Sequence, residues 1–226
     1  MSNLASAFIG GIIGFILSLM LYLYDKSIKP NLEVQLTNPS NLSLSQGKFK
    51  SLNLKIKNKK RDGILQFLNK SATQVRVFLY FSDFPTAILM NSVIARWNSS
   101  REPLTPDYKY VDLGLALTHP REVLVPGEES EISIAIRKDD KPYCFPFNNS
   151  SYIYQQDNFE VPGWKIEDKK FIVVVRIQTA EIDKFGGVFI VLNKSSLEQF
   201  KINKPRDETL YKNILSKFGI YKSNKN

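Results

Sequence analysis

The chain of 226 residues carries 31 Lys and Arg against 22 Asp and Glu, a net charge of +9, with 43% hydrophobic and 23% charged residues. That balance excludes an intrinsically disordered chain, because enough apolar surface is present to build a core. A single cysteine, Cys144, and a single histidine, His119, exclude an intrachain disulfide, a cysteine-based zinc site and a multi-histidine metal centre, and no cofactor is expected.

In chain order, a short N-tail (residues 1–3) precedes an uncharged run from Leu4 to Tyr24. As a helix it is about 31 Å long at 1.5 Å per residue, close to the ~30 Å hydrocarbon core of a bilayer, and a transmembrane helix is expected over 4–24. Met1-Ser2-Asn3 carries no basic residue and the end of the run offers no small-residue cleavage site, so retention is expected rather than removal as a signal peptide. Tyr22 and Tyr24 suit an aromatic belt. Lys26 and Lys29 in the linker (25–30) favour a cytoplasmic soluble domain on a single-pass cell-membrane protein, with the bilayer as partner. Six Asn-x-Ser/Thr sequons, at Asn41, Asn69, Asn98, Asn148, Asn149 and Asn193, keep the extracytoplasmic placement open. Ser6, Gly10, Gly14 and Ser18 recur every four residues, a small-residue stripe through which two helices of a homodimer would approach. Glycine is also simply frequent in membrane helices.

From Pro30 onward the apolar pattern has period two. Leu32, Val34 and Leu36, then Leu52, Leu54 and Ile56, then Val75, Val77, Leu79 and Phe81 alternate with other residues, as in strands with one face on a core. Ala87–Trp97, Val111–Leu117, Glu131–Arg137, Phe171–Thr179 and Gly187–Leu192 are further candidate strands. Asn38-Pro39, Asp62-Gly63, Pro126-Gly127 and Gly186-Gly187 supply turn chemistry between strands. About eight strands with little helical periodicity predict a mainly β domain over 31–195, an antiparallel sandwich or barrel. Trp97 reads as core, and Trp164 as a residue near the surface or capping the core.

Leu52–Asn58, Ala72–Phe81 and Leu124-Val125-Pro126-Gly127-Glu128 leading into Ile132–Ile136 resemble the immunoglobulin-like domains of prokaryotic envelope proteins, nearest the cell-adhesion-related type. In that pattern a strand ends in Asn, Ala opens the next, and a Pro-Gly-Glu turn precedes a late strand. The resemblance spans residues 52–137. It implies an antiparallel immunoglobulin-like β-sandwich with a binding or scaffolding habit, and carries over no site residue. The chain departs from the pattern over Asp83–Tyr110 and Lys138–Lys170, and lacks the Cys…Trp…Cys core of antibody domains.

Residues 143–154 hold five aromatics, Tyr143, Phe145, Phe147, Tyr152 and Tyr154, around a polar centre. Two readings are open: a loop that contacts a protein partner, or an insertion that buries its rings on the sandwich. Residues 25–62 hold nine basic residues against three acidic, and 201–226 seven against two. These clusters suit anionic lipid headgroups, nucleic acid or a solvated surface. Asp207 is positioned to cap a short helix over 207–218 in the basic tail (196–226), with Leu210, Ile214 and Phe218 on one face and Leu215 beside them. The acids Asp139, Asp140, Asp157 and Asp168 have no calcium-loop spacing. The expectation is a membrane-anchored, non-enzymatic β-sandwich that binds or scaffolds an unknown protein partner. The alternatives are a membrane-tethered hydrolase using carboxylates and a basic sensor of anionic lipid or nucleic acid.

Overall fold

Helix α1 (Ser2–Ser27) opens the chain and two antiparallel sheets follow. The structure, a computed structural model, describes residues 2–44, 47–105, 110–119, 121–167, 169–194 and 196–219. The first sheet has the order β1 (Leu32–Leu36), β3 (Gly47–Asn58), β8 (Glu129–Lys138), β6 (Arg96–Trp97). β2 (Ser40–Leu44) also pairs with β3, and β9 (Phe145–Pro146) with β8. The second has the order β12 (Lys201–Asn203), β11 (Asp183–Leu192), β10 (Lys170–Gln178), β4 (Ala72–Asp83), β5 (Leu89–Ile94), with β7 (Glu122–Leu124) on β4. Leu52, Leu54 and Ile56 from one sheet and Val77, Leu79, Val173 and Val175 from the other bury in one shared core, so the domain is a β-sandwich.

The two outer faces differ, and the sequence patterns differ with them. On the first sheet the solvent-reaching face is charged, and the register sets Lys57 between Glu33 and Glu129 and Lys55 between Gln35 and Glu131. β3 therefore alternates over Leu54–Asn58, whereas Ser51 to Leu54 are buried on both faces. On the second sheet the outer residues Ile172, Val174 and Val188 are covered by helix α3 (Glu208–Lys217), which buries Ile214 and Leu215 on them. Each such side chain contributes about 1.5–3 kcal/mol on leaving water. β10 is consequently buried on both faces and reads as the continuous run Phe171 to Val175. Asp207 caps α3 by accepting from the Thr209 and Leu210 amides, at 2.8 and 3.2 Å. The helix expected over 207–218 is thus present, docked on the domain.

Buried Asn58 ties the end of β3 to the Pro126-Gly127 turn. Its side-chain amide donates to the Lys70 and Leu124 carbonyls, and its backbone carbonyl accepts from the Gly127 amide at 2.7 Å. Gly186 is the extra residue of a bulge in β11, where the register shifts against β10 between Val175 and Arg176. A Cβ there would lie 2.8 Å from Val34 Cγ2, so only glycine lets β1 and β11 approach.

Several expectations are corrected. Among the described residues, no helix is long and apolar enough to cross a membrane. The fold class therefore stands without a transmembrane helix. Val111–Leu117 is not a strand: Asp112 caps helix α2 (Leu113–Ala116) by accepting from the Leu115 amide, and Gly114 weakens any strand there. Gly186-Gly187 lies inside β11 and is not a turn. Ala87–Trp97 is not one strand either. The chain leaves the second sheet at Ile94 and joins the first at Arg96, pivoting on buried Ala95.

Candidate functional site

The aromatic run is mostly interior. Phe145, Phe147 and Tyr152 are buried in a second apolar cluster with Phe49, Ile136 and Phe159, at the end of the sandwich beside β8 and β9. Phe159 is the hub, with edge-on contacts to Phe49, Phe147 and Tyr152 at centroid distances of 5.6, 5.4 and 5.5 Å. Those contacts hold Asn158 and Phe159 in left-handed backbone, at φ 59° and 62°. Tyr143 and Tyr154 are half-buried. Tyr143 donates to Glu160 at 3.0 Å, with the Lys165 ammonium 4.5 Å above its ring. The buried-insertion reading fits this stretch. Trp97 is core, and Trp164 is half-buried between the two clusters, close to the cap expected of it.

Burial pushes the Tyr152 hydroxyl up to about 12 from its ordinary 10.0; the Arg96 guanidinium opposes the rise and Glu102 adds to it. The folded state thus favours the neutral phenol. This contribution is complete below pH 10 and is lost as pH rises from 10 to about 12, up to about 3 kcal/mol at 1.36 kcal/mol per pK unit. The Cys144 thiol, fully buried and also pushed up by burial with Arg137 opposing, acts in the same direction. Urea titrations between pH 8 and 11.5 are expected to show stability falling from about pH 9, where the thiol contributes, and more steeply above pH 10, where Tyr152→Phe is expected to reduce the slope. An equal slope in the variant would remove Tyr152 from the account.

The charged residues form pairs rather than a cleft. Glu129 takes Lys55 at 2.7 Å and Lys57 at 3.3 Å, and Glu33 pairs with Lys59. The basic stretch before residue 62 is in this part a solvated ladder of alternating sign. Each described carboxylate with a displaced pKa (Glu33, Asp83, Glu129, Glu181, Asp183 and Glu208) is displaced downward. None is pushed up as a general acid is. Among the described residues, no three His, Cys, Asp or Glu side chains converge as a metal cluster would. Asp168, one of the acids considered, lies outside them.

Two surfaces remain unusual. The first is α1. Large apolar side chains stand exposed all round its axis, from Phe8 at 71% through Ile12, Phe15 and Ile16 to Leu21 at 67%. Of the small-residue stripe, Gly10 and Gly14 face open space and Ser18 is exposed; the Ser6 side chain is outside the described set. The second is the β5 edge of the second sheet. Residues 84–95 carry no charge, and Ile88, Leu89 and Met90 are exposed at 67, 54 and 38%. The Ala95 amide donates inward to Val77 at 2.8 Å. By the alternation of an antiparallel ladder, the backbone groups of Ser92 and Ile94 then point outward. Two other edges are guarded. β12 has only three residues and includes Lys201, and the Lys184 ammonium covers the Leu32 carbonyl of β1. Sequence reading missed the β5 edge; its signal was the uncharged stretch between Asp83 and Arg96.

Compared with known proteins, the chain matches no family model, no curated protein and no solved structure.

Proposed function

We propose that this protein is a non-enzymatic binding or scaffolding domain held at a lipid surface by α1. The observation that carries the reading is the exposed apolar girth of α1, in which no charged residue occurs from Ser2 to Tyr24. A protein groove covers one stripe of a helix, whereas lipid hydrocarbon covers every side of it. Four to six large side chains, at about 1.5–3 kcal/mol each, reach the ~8 kcal/mol of a micromolar affinity. Lipid contact does not require a crossing. Lys26 and Lys29 follow at the position where cations meet anionic headgroups. The paired carboxylates and the ladder on the first sheet favour a recognition surface over a hydrolase. The immunoglobulin-like reading belongs to this proposal. It is supported by the meeting of Asn58 with the Pro-Gly-Glu turn, the same residues that carry the resemblance.

The test is flotation. The full chain, solubilised and then freed of detergent in the presence of phosphatidylcholine vesicles, is expected to float with them through a density gradient. Recovery at the bottom, away from lipid, would overturn the reading.

A further inference from the structure

We infer that the β5 edge is a docking site for a second copy of this chain, pairing β5 with β5 antiparallel about a two-fold axis at Ser92. The edge offers outward backbone groups at Ser92 and Ile94 and an exposed lip at Leu89 and Met90. An edge with those properties pairs with another strand unless charge, proline or a cover prevents it. Within β5 there is neither charge nor proline.

The occupant is argued from charge and from register. Copies of a chain at +9 repel one another, so a self-contact must lie where cations are absent. Residues 84–95 carry no charge of their own, the cations that reach them (Lys217 on the Thr86 carbonyl, Lys170 over the Phe84 ring) sit at the Phe84–Thr86 end, and the flanking charges are engaged at home. Asp83 binds Lys169 at 2.8 Å, and the buried Arg96 donates to the Ser100 carbonyl and lies over the Tyr152 ring. About Ser92 the strand is self-complementary. Met90 meets Ile94 of the copy, Ser92 meets Ser92, and Ile94 meets Met90, so apolar faces apolar and hydroxyl faces hydroxyl. Two devices oppose the pairing: a bulge at Met90, where the register against β4 shifts between Phe81 and Ser82, and the Asn91 side chain, which accepts from the Ser92 amide at 2.8 Å. The Asn91 side chain occupies the donor that the copy would take, and pairing exchanges one exposed hydrogen bond for another.

The test is a nitroxide at Ser92→Cys on the full chain in detergent micelles. Cys144 is fully buried and stays unlabelled. Residues of a hydrogen-bonded pair lie about 5.5 Å apart between Cα atoms, so two such labels broaden each other's spectrum strongly. Broadening at position 92, absent at exposed Ser216→Cys on α3 and removed by dilution with unlabelled chain, is the expected result. Asn91→Ala, which releases the Ser92 amide in both copies, is expected to tighten association about thirtyfold, one net hydrogen bond's worth from each copy. A sharp spectrum at 92 overturns the proposal. So does equal broadening at 92 and 216, which would mean that copies meet through α1 alone. Circular dichroism of each labelled chain shows that the fold is kept. The outcome is independent of flotation, since the micelle replaces lipid.

Discussion

Replacing Trp97 with alanine is expected to lower the stability of the domain by about 4 kcal/mol, the range for truncating a buried aromatic. Trp97 is 1% exposed and belongs to the main core cluster. It also sits where the chain has just crossed between sheets, pairing with Ile132 of β8. The Asn98 amide beyond it donates to the Glu131 carbonyl at 2.8 Å, so the ring is held from both sides in sequence and cannot follow a collapsing cavity. For a domain of this size each kcal/mol moves the midpoint by about 2–4 °C, giving a fall of roughly 8–16 °C. Urea unfolding is expected to show a lower midpoint at unchanged slope. A loss below about 1 kcal/mol would mean that the crossing is not anchored by the core.

Asn193→Ala is expected to cost on the order of 3 kcal/mol although it removes no apolar contact. Asn193 is fully buried, and its amide nitrogen reaches the Pro142, Ile166 and Glu167 carbonyls at 3.3, 3.3 and 2.9 Å. Its oxygen accepts from Arg137 Nη1 at 3.0 Å, and Arg137, itself 1% exposed, also donates to the Lys141 and Lys194 carbonyls. One amide thus joins β8, the 142–167 insertion and the end of β11. Alanine strands several of these buried groups at once, and each unsatisfied group costs about 1–3 kcal/mol. Chemical denaturation of the variant, and of Arg137→Met beside it, measures this. An Asn193→Ala chain as stable as the parent would show that water replaces the network without penalty.

Asn193 also shows what sequence patterns conceal. As the acceptor of a sequon it marks a surface; in the fold it is interior, as are Asn148 and Asn149. A three-residue match records neither burial nor partners. The period-two runs were legible because the two faces of each strand differ in burial over Leu54–Asn58 and Val75–Phe81, and β3 and β4 lie where that alternation places them. α3 was legible through Asp207 and the spacing of Leu210, Ile214 and Phe218, because its cap and its apolar face are both local signals. β2, β7, β9 and β12 carry five residues or fewer and lack the three-residue apolar alternation that marks the equally short β1, so they were missed; their neighbours specify them. The split of Ala87–Trp97 between two sheets was invisible for the same reason: the backbone stays extended through Ala95 while its partner changes. Of the candidate site residues, Tyr143, Phe145, Phe147, Tyr152 and Tyr154 were found as a group, but composition could not separate rings that recognise a partner from rings that fill a core. The β5 edge is a property of strand order, marked locally only by the uncharged stretch between Asp83 and Arg96.

The most direct test of the account is flotation of the full chain beside an Ile12→Asp, Leu19→Asp variant, at low and at high salt. The unaltered chain is expected to float with neutral vesicles at both salt concentrations, because apolar transfer is not screened. The variant carries two carboxylates into hydrocarbon at ~2 kcal/mol or more each, and is expected to lose about a thousandfold in partition and stay at the bottom. Flotation of both chains alike, or flotation that needs anionic lipid and vanishes in salt, would contradict the account and move the lipid contact from α1 to the basic surface.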